Sequence, residues 1–184
     1  MARSVVGRAV VVREKYYWPD IQLNVWTIVM LATAGTILGV NASFWQIQNQ
    51  MNLGVPWIFP YGITVGALTV IFILIELVLI AQRRLLPGIM MLLSFVLLVL
   101  FITGIIGTGI QLFGSNSNVN NLCSTYVDNM NVMGVSSNTL AWLEQNSICS
   151  SWKAVFSFWI VGTVFLVWMI VMAMQVSRNQ FDNY

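Results

Sequence analysis

Glu76 lies inside a long apolar run, and a carboxyl group in such a place can bind a proton or a cation. It precedes Arg83 by seven residues, which places it roughly 10 Å deeper along a helix. A carboxylate facing lipid costs about 2.5–3.5 kcal/mol on insertion scales, so desolvation favours the neutral acid. Asn24, Thr27 and Ser94 are the polar partners expected at that depth. The alternatives to a proton or cation site are a contact to another subunit, a hydrogen bond between helices, or a carboxyl reaching the head groups.

Cys123 and Cys149 form the second group that could do chemistry, in the polar stretch between the third and fourth apolar runs. On the oxidising side of a membrane a disulfide between them is the default, and free thiols or intermolecular bridges are the alternatives. The bond would close a loop that stabilises the fold by about 3.5 kcal/mol in the chain-entropy model. Two cysteines supply too few ligands for a metal, so no metal is expected.

Most sets of residues that catalyse reactions are missing from this sequence. It has no His, which is the commonest general base and metal ligand. It also lacks a phosphate-binding glycine loop, a GxSxG or HExxH motif and paired carboxylates. Asp128 and Glu144 are expected to solvate the surface, and the net charge of +2 is too small for a nucleic-acid footprint. We therefore expect no enzyme activity, no cofactor and no nucleic-acid partner.

The elements that position these side chains are four apolar runs. The sequence is 58% hydrophobic and 8% charged, whereas soluble domains carry about 25% charged residues. The runs cover about residues 21–40, 58–81, 86–113 and 154–176, and each reaches the roughly 20 residues that a membrane-spanning helix needs. We predict an all-α membrane protein, a single domain of four transmembrane helices over residues 1–184, with loops at 41–57 and 114–153.

The cations indicate the orientation of these helices. Of the eight Lys and Arg residues, all but Lys153 lie on one side of the four runs. The positive-inside rule then places both termini in the cytoplasm and both long loops outside, with plasma membrane as the expected location. The cations that carry this prediction are Arg3, Arg8, Arg13, Lys15, Arg83, Arg84 and Arg178.

Small residues predict where the helices approach each other. Glycines one turn apart let helix backbones pack closely in lipid, although glycine is also simply common in membrane helices. Their depth predicts a bundle that is tight towards the outside and splayed towards the cytoplasm. The candidate packing residues are Gly35, Gly39, Gly62, Gly66, Gly104, Gly107 and Gly162.

Two shorter elements are predicted in the loops. Residues 138–145 resemble a short helix capped by Asn138, with an apolar side formed by Leu140, Trp142 and Leu143. Residues 43–51 could form a brief interfacial helix. Aromatic residues at the borders of the runs are expected to anchor the chain at head-group level. These are Tyr16, Tyr17, Trp18, Phe44, Trp45, Trp57 and Trp152.

Three segments resemble a family of small four-span membrane proteins from filamentous fungi: YYWPDIQLNVW at 16–26, RRLLPG at 83–88 and NTLAWLEQNSIC at 138–149. In outline the chain is also similar to MARVEL-type tetraspans, which have four spans, inner termini and cysteines in outer loops. It lacks the first-loop pattern of claudins and the Cys-Cys-Gly motif of tetraspanins. The resemblance brings no activity; by analogy it implies a plasma-membrane organiser or a companion subunit.

Two functions fit these observations. The first is a non-enzymatic tetraspan that associates laterally, as a membrane-domain organiser or as an accessory subunit. Its partners would be lipids, further copies of itself or a larger integral membrane protein. The alternative is a small channel or carrier for protons, cations or small solutes that uses Glu76. Transport requires Glu76, Asn24, Thr27 and Ser94 to line one water-filled path.

Overall fold

We describe the fold from a computed structural model, which defines residues 18, 20–52, 54–82, 86–114, 119–128 and 137–181. Regular structure within these ranges is entirely helical. Most cations used for the topology prediction fall outside the described residues, as do two of the aromatic anchors. These are Arg3, Arg8, Arg13, Lys15, Arg83, Arg84, Tyr16 and Tyr17.

Five α-helices and one π-helical turn follow one another along the chain. They are α1 (Asp20–Gln50), α2 (Ile58–Ala81), α3 (Pro87–Phe113), α4 (Val119–Cys123), the π-helical turn (Ser124–Asp128) and α5 (Ser137–Phe181). Four of them, α1, α2, α3 and α5, are long and apolar enough to cross a membrane. This confirms the four predicted apolar helices and makes the chain a candidate integral membrane protein.

Two helices are longer than the predicted spans. α1 continues through residues 41–50, and α5 runs without interruption from residue 137, so the short helix predicted at 138–145 is the first part of α5. Neither extension contains the Pro or Gly that would stop a helix. α1 ends just before Asn52, whose φ of 52° lies in the left-handed region that asparagine tolerates.

The four long helices form a ring in the order α1, α2, α3, α5. The backbones of neighbours in this ring approach each other closely, whereas no Cα atoms of the diagonal pairs α1–α3 and α2–α5 lie within 8 Å of each other in the described part of the chain. Side chains still meet across the α2–α5 diagonal. The α3–α5 and α1–α2 interfaces are the largest, and α2–α3 is the smallest. Large apolar side chains such as Leu74, Leu92 and Val164 remain exposed around the outside, as expected of a surface that faces lipid. The ring is therefore a four-helix bundle with a filled interior.

The two ends of the bundle differ. We call the end that carries Cys123 and Cys149 the disulfide end, and the end that carries Arg178 the opposite end. At the opposite end Trp18, Met90, Met172 and Ala173 are buried. Large and flexible side chains thus fill this end, because methionine adapts to irregular space between helices. The predicted splay of the helices at this end stays a prediction.

Candidate functional site

A disulfide ties the segment that follows α3 to the start of α5. Cys123 and Cys149 are bonded, with their Cα atoms 5.9 Å apart, as the sequence predicted. The indole Nε1–H of Trp142 donates a hydrogen bond to the carbonyl oxygen of Val127 at 2.9 Å. These two links hold residues 119–128 against residues 137–150. We call these two segments together the loop-end module.

The loop-end module presents apolar side chains outwards. Leu122 and Leu143 are each 50% exposed, and Ile148 is 36% exposed. The predicted apolar side of residues 138–145 is therefore divided, because Trp142 turns towards Val127 while Leu143 stays exposed. Glu144 lies in the same exposed turn, as expected for a surface acid. The backbone of Asp128 belongs to the π-helical turn.

Three aromatic rings form a cluster near this module. Phe44 of α1, Phe59 of α2 and Trp152 of α5 have ring centroids 5.5–5.7 Å apart. Such separations suit stacked and tilted aromatic pairs. Trp45 and Trp57 are 41% and 56% exposed, which fits the predicted role at the membrane border. The loop-end module thus lies next to this cluster of aromatic rings.

Glycines on α2 let α1 approach closely. A Cβ atom on Gly62 would lie 2.5 Å from the side chain of Asn41, and one on Gly66 would lie 2.9 Å from Leu38. Asn41 is buried and its Nδ2–H donates to the carbonyl oxygen of Ile37 at 2.7 Å. The α1–α2 interface therefore uses the two predicted glycines of α2.

Glycines on α3 and α5 accommodate large rings. A Cβ atom on Gly104 would lie 2.7 Å from the indole of Trp159, and one on Gly107 would lie 2.7 Å from Ile58. A Cβ atom on Gly162 would overlap the ring of Phe101. Bulky aromatic residues of one helix thus pack over a glycine of its neighbour, and all three glycines lie at helix contacts, as predicted.

Gly35 and Gly39 differ from the other predicted packing residues. A Cβ atom on either of them would meet nothing within 4 Å. The prediction that they pack against another helix is therefore wrong within the described bundle. They lie instead on the face of α1 that opens onto a cleft between α1 and α5.

This cleft has a volume of about 460 Å³. α1 contributes a face that includes Gly35, Gly39 and Ser43, and α5 contributes Glu144 and Ser147. The spacing of three or four residues on each helix aligns these side chains on one face. The cleft is therefore lined from two helices, at the disulfide end.

Glu76 lies in the interior near the opposite end. It has no exposed surface, and neither carboxyl oxygen has a hydrogen-bond partner among the described residues. Ser94 is also fully buried, and its Oγ has no partner there either. A buried carboxyl without a partner is costly, and much more so when it is ionised. The geometry therefore favours the neutral acid.

The other two predicted partners of Glu76 lie elsewhere. Asn24 is exposed on α1. Thr27 is half-buried, and its hydroxyl donates to the carbonyl oxygen of Leu23 on its own helix at 2.9 Å. In this structure the four polar residues therefore do not line one path.

Two hydrogen bonds between helices were not predicted from the sequence. The Nε1–H of Trp26 donates a hydrogen bond to the carbonyl oxygen of Phe165 at 2.7 Å. The hydroxyl of Tyr61 donates one to the carbonyl oxygen of Leu100 at 2.8 Å. A Trp or Tyr well inside an apolar run is a signal that points to such bonds, because its polar atom needs a partner when buried. The signal fails for Trp159, whose buried Nε1 has no partner among the described residues.

The described residues contain no cluster of three or more His, Cys, Asp or Glu side chains that could hold a metal. No family model, curated protein or solved structure matches this chain. The surfaces and cavities described above therefore carry the functional argument.

Proposed function

We propose that this protein is a non-enzymatic tetraspan that acts by lateral association in the membrane. It would organise a membrane domain or accompany a larger integral membrane protein, and further copies of itself are a second class of partner. The resemblance to small four-span proteins and to MARVEL-type tetraspans points the same way, by analogy.

The observation that carries this proposal is the loop-end module. A disulfide and the Trp142 hydrogen bond fix its two segments, so its surface is ordered before any partner binds. Leu122 and Leu143 stay half exposed on that surface. We infer that this fixed surface, with its exposed apolar side chains, is where a partner binds.

The proposed location is the plasma membrane, with the loop-end module outside the cell. The orientation rests on the positive-inside rule, because Lys153 is the one Lys or Arg of the eight in the sequence that lies on the side of the module. Lys153 and Arg178 mark the two borders of the membrane-crossing part of α5, since Arg178 lies 25 residues later. At 1.5 Å per residue they are about 38 Å apart, roughly the thickness of a bilayer with its head groups. A disulfide is also expected on the oxidising side.

A photo-crosslinking amino acid at position 143 tests the association. Asn146 is exposed in the same module and serves as the matched control position. We expect crosslinks in native membranes from position 143 that greatly exceed those from position 146, and we expect Leu122→Ser to weaken them. A protein that stays uncrosslinked at both positions and runs as a monomer in mild detergent would exclude the proposal.

The second candidate is a small channel or carrier that uses Glu76. The observation that favours it is the buried carboxyl group, which has no hydrogen-bond partner in the described part of the chain. Glu76 and Ser94 lack exposed surface in this conformation, so transport would need a second conformation that hydrates them. The test compares the flux of protons or cations into vesicles that contain the wild-type protein with the flux into vesicles that contain Glu76→Gln. A flux that Glu76→Gln leaves unchanged, or no flux at all, removes the transport function.

A further inference from the structure

The cleft between α1 and α5 has the shape of an amphipathic ligand site. From Gly35 to Ile47 its α1 side is roughly 18 Å long at 1.5 Å per residue. Gly35 and Gly39 belong to the first predicted span, whereas Ser43 and Ile47 follow it. One half of the cleft therefore lies at the depth of lipid chains, and the other half lies towards the head groups.

Polar groups concentrate in the half nearer the head groups. Ser43 of α1 faces the cleft there, together with Glu144, Ser147 and Ser151 of α5. The hydroxyl of Ser43 already donates to the carbonyl oxygen of Gly39 at 3.0 Å, which leaves its oxygen as an acceptor. The deeper half is lined by Gly35, Thr36, Gly39 and Val40, and the hydroxyl of Thr36 donates to the carbonyl oxygen of Ala32 on its own helix at 2.8 Å. The half nearer the head groups also contains the apolar side chains Phe44, Ile47 and Ile148. Most of the hydrogen-bonding groups of the lining thus lie in that half.

The volume of the cleft decides which kind of occupant fits it. An α-helix is 10–12 Å across, so a segment as long as the cleft would fill roughly 1,400–2,000 Å³. The cleft offers about 460 Å³, which lies in the range of small-molecule sites. The cleft therefore has room for part of a single membrane lipid, whereas a partner helix would lie only across its mouth.

The charge of the lining limits the head group. Glu144 is the charged residue in the lining, and no Lys or Arg among the described residues faces the cleft. A phosphate would be repelled by this carboxylate. A hydroxyl group can both donate to Glu144 and accept from a serine.

We infer that the α1–α5 cleft binds a membrane lipid with a neutral hydroxyl head group, of the sterol or ceramide class. Its apolar part lies along Gly35 and Gly39, and its hydroxyl lies among Ser43, Ser147, Ser151 and Glu144. The cleft shares Glu144, Ser147 and Ile148 with the loop-end module, but Leu122 and Leu143, which carry the proposed partner surface, do not line it, so either proposal can fail alone.

Photoaffinity labelling of the full chain in phosphatidylcholine nanodiscs tests this site. The probes are a diazirine sterol with a free hydroxyl and a diazirine ceramide. For at least one probe we expect the label on residues 35–47 and 144–151, and competition by the unlabelled form of that lipid. An even distribution of label over α2 and α3, or equal competition by phosphatidylglycerol, would overturn the inference.

Two glycine variants provide a matched comparison. Gly39→Leu places a side chain in the cleft, and Gly88→Leu places one at the start of α3. A Cβ atom at either position meets nothing within 4 Å among the residues that the structure defines. We expect Gly39→Leu to lower the specific labelling about tenfold and Gly88→Leu to leave it unchanged. Equal labelling in both variants would overturn the site.

Ser147→Trp is a second variant that fills the cleft from α5, where residue 147 is exposed and a large side chain does not disturb the core. We expect the same loss of labelling with the disulfide intact. If both variants that fill the cleft instead lose a crosslink to another protein while lipid labelling persists, the occupant is a protein and the inference fails.

Discussion

The indole of Trp159 on α5 lies directly over Gly104 of α3, where a Cβ atom would approach the ring to 2.7 Å. The ring of Trp159 also packs edge-on against Phe101 of α3, with centroids 5.0 Å apart. The indole is 1% exposed and has little room to move. The α3–α5 interface therefore depends on a missing side chain at Gly104.

Gly104→Ala tests this relationship directly. We expect it to destabilise the protein by about 1–3 kcal/mol, since overpacking forces the ring or the helix to shift. Gly35→Ala is the matched control, because that position is open and alanine favours a helix by up to about 1 kcal/mol. Thermal unfolding in detergent should show a lower Tm for Gly104→Ala alone. An equal Tm for both variants would show that the α3–α5 contact tolerates a methyl group.

Glu76 provides a second prediction. Glu76→Leu should stabilise the bundle by about 1–3 kcal/mol, because it removes a buried polar group that has no partner among the described residues. Glu76→Gln should give little gain, since its amide is also polar. Chemical denaturation of the purified variants measures the difference. A Glu76→Leu protein that is less stable than Glu76→Gln would show that the carboxyl group makes a contact that the fold requires.

The disulfide gives a third prediction. Replacing Cys123 and Cys149 by serine should cost about 3–4 kcal/mol in the chain-entropy model, because the bond joins residues 26 apart in sequence. Hydrogen exchange should rise in residues 119–128 and stay low in the bundle. Ser150→Ala, next to Cys149 and exposed, is the control. Unchanged protection of residues 119–128 would mean that the Trp142 hydrogen bond suffices to hold the loop-end module.

The interhelical hydrogen bond of Trp26 gives a fourth prediction. Trp26→Phe removes its 2.7 Å bond to the carbonyl oxygen of Phe165 and leaves a small cavity, at a cost of about 1–3 kcal/mol. Trp45→Phe, at a 41% exposed position, should change stability by less than about 0.5 kcal/mol. Equal thermal shifts for the two variants would contradict the role of this bond.

The proposed orientation is tested with single added cysteines. Both native cysteines are bonded to each other, so an added one provides the reactive thiol. With an impermeant maleimide on intact cells we expect Asn146→Cys to react, and Arg178→Cys to react only after permeabilisation. The reverse pattern would invert the topology and remove the basis of the proposed outer module.

Sequence alone determined the number and nature of the long helices. The second predicted run, 58–81, coincides with α2, and the third, 86–113, differs from α3 by one residue. Hydropathy is a local property, and Pro87 marks a helix start without tertiary information. The pairing of Cys123 with Cys149 was also predictable, because the described chain has no other cysteine to compete.

Only the tertiary structure decided which faces meet. Gly35 and Gly39 have the same spacing as Gly62 and Gly66, yet the first pair faces a cleft and the second pair faces α1. Spacing places two glycines on one side of a helix, but the rotation of that helix in the bundle determines what they contact. In the same way, the rotation of α1 leaves Asn24 on the outside of the bundle, and the rotation of α2 places Glu76 inside it, although both residues belong to apolar runs. That rotation results from the packing of all four long helices together and is not encoded in any one segment.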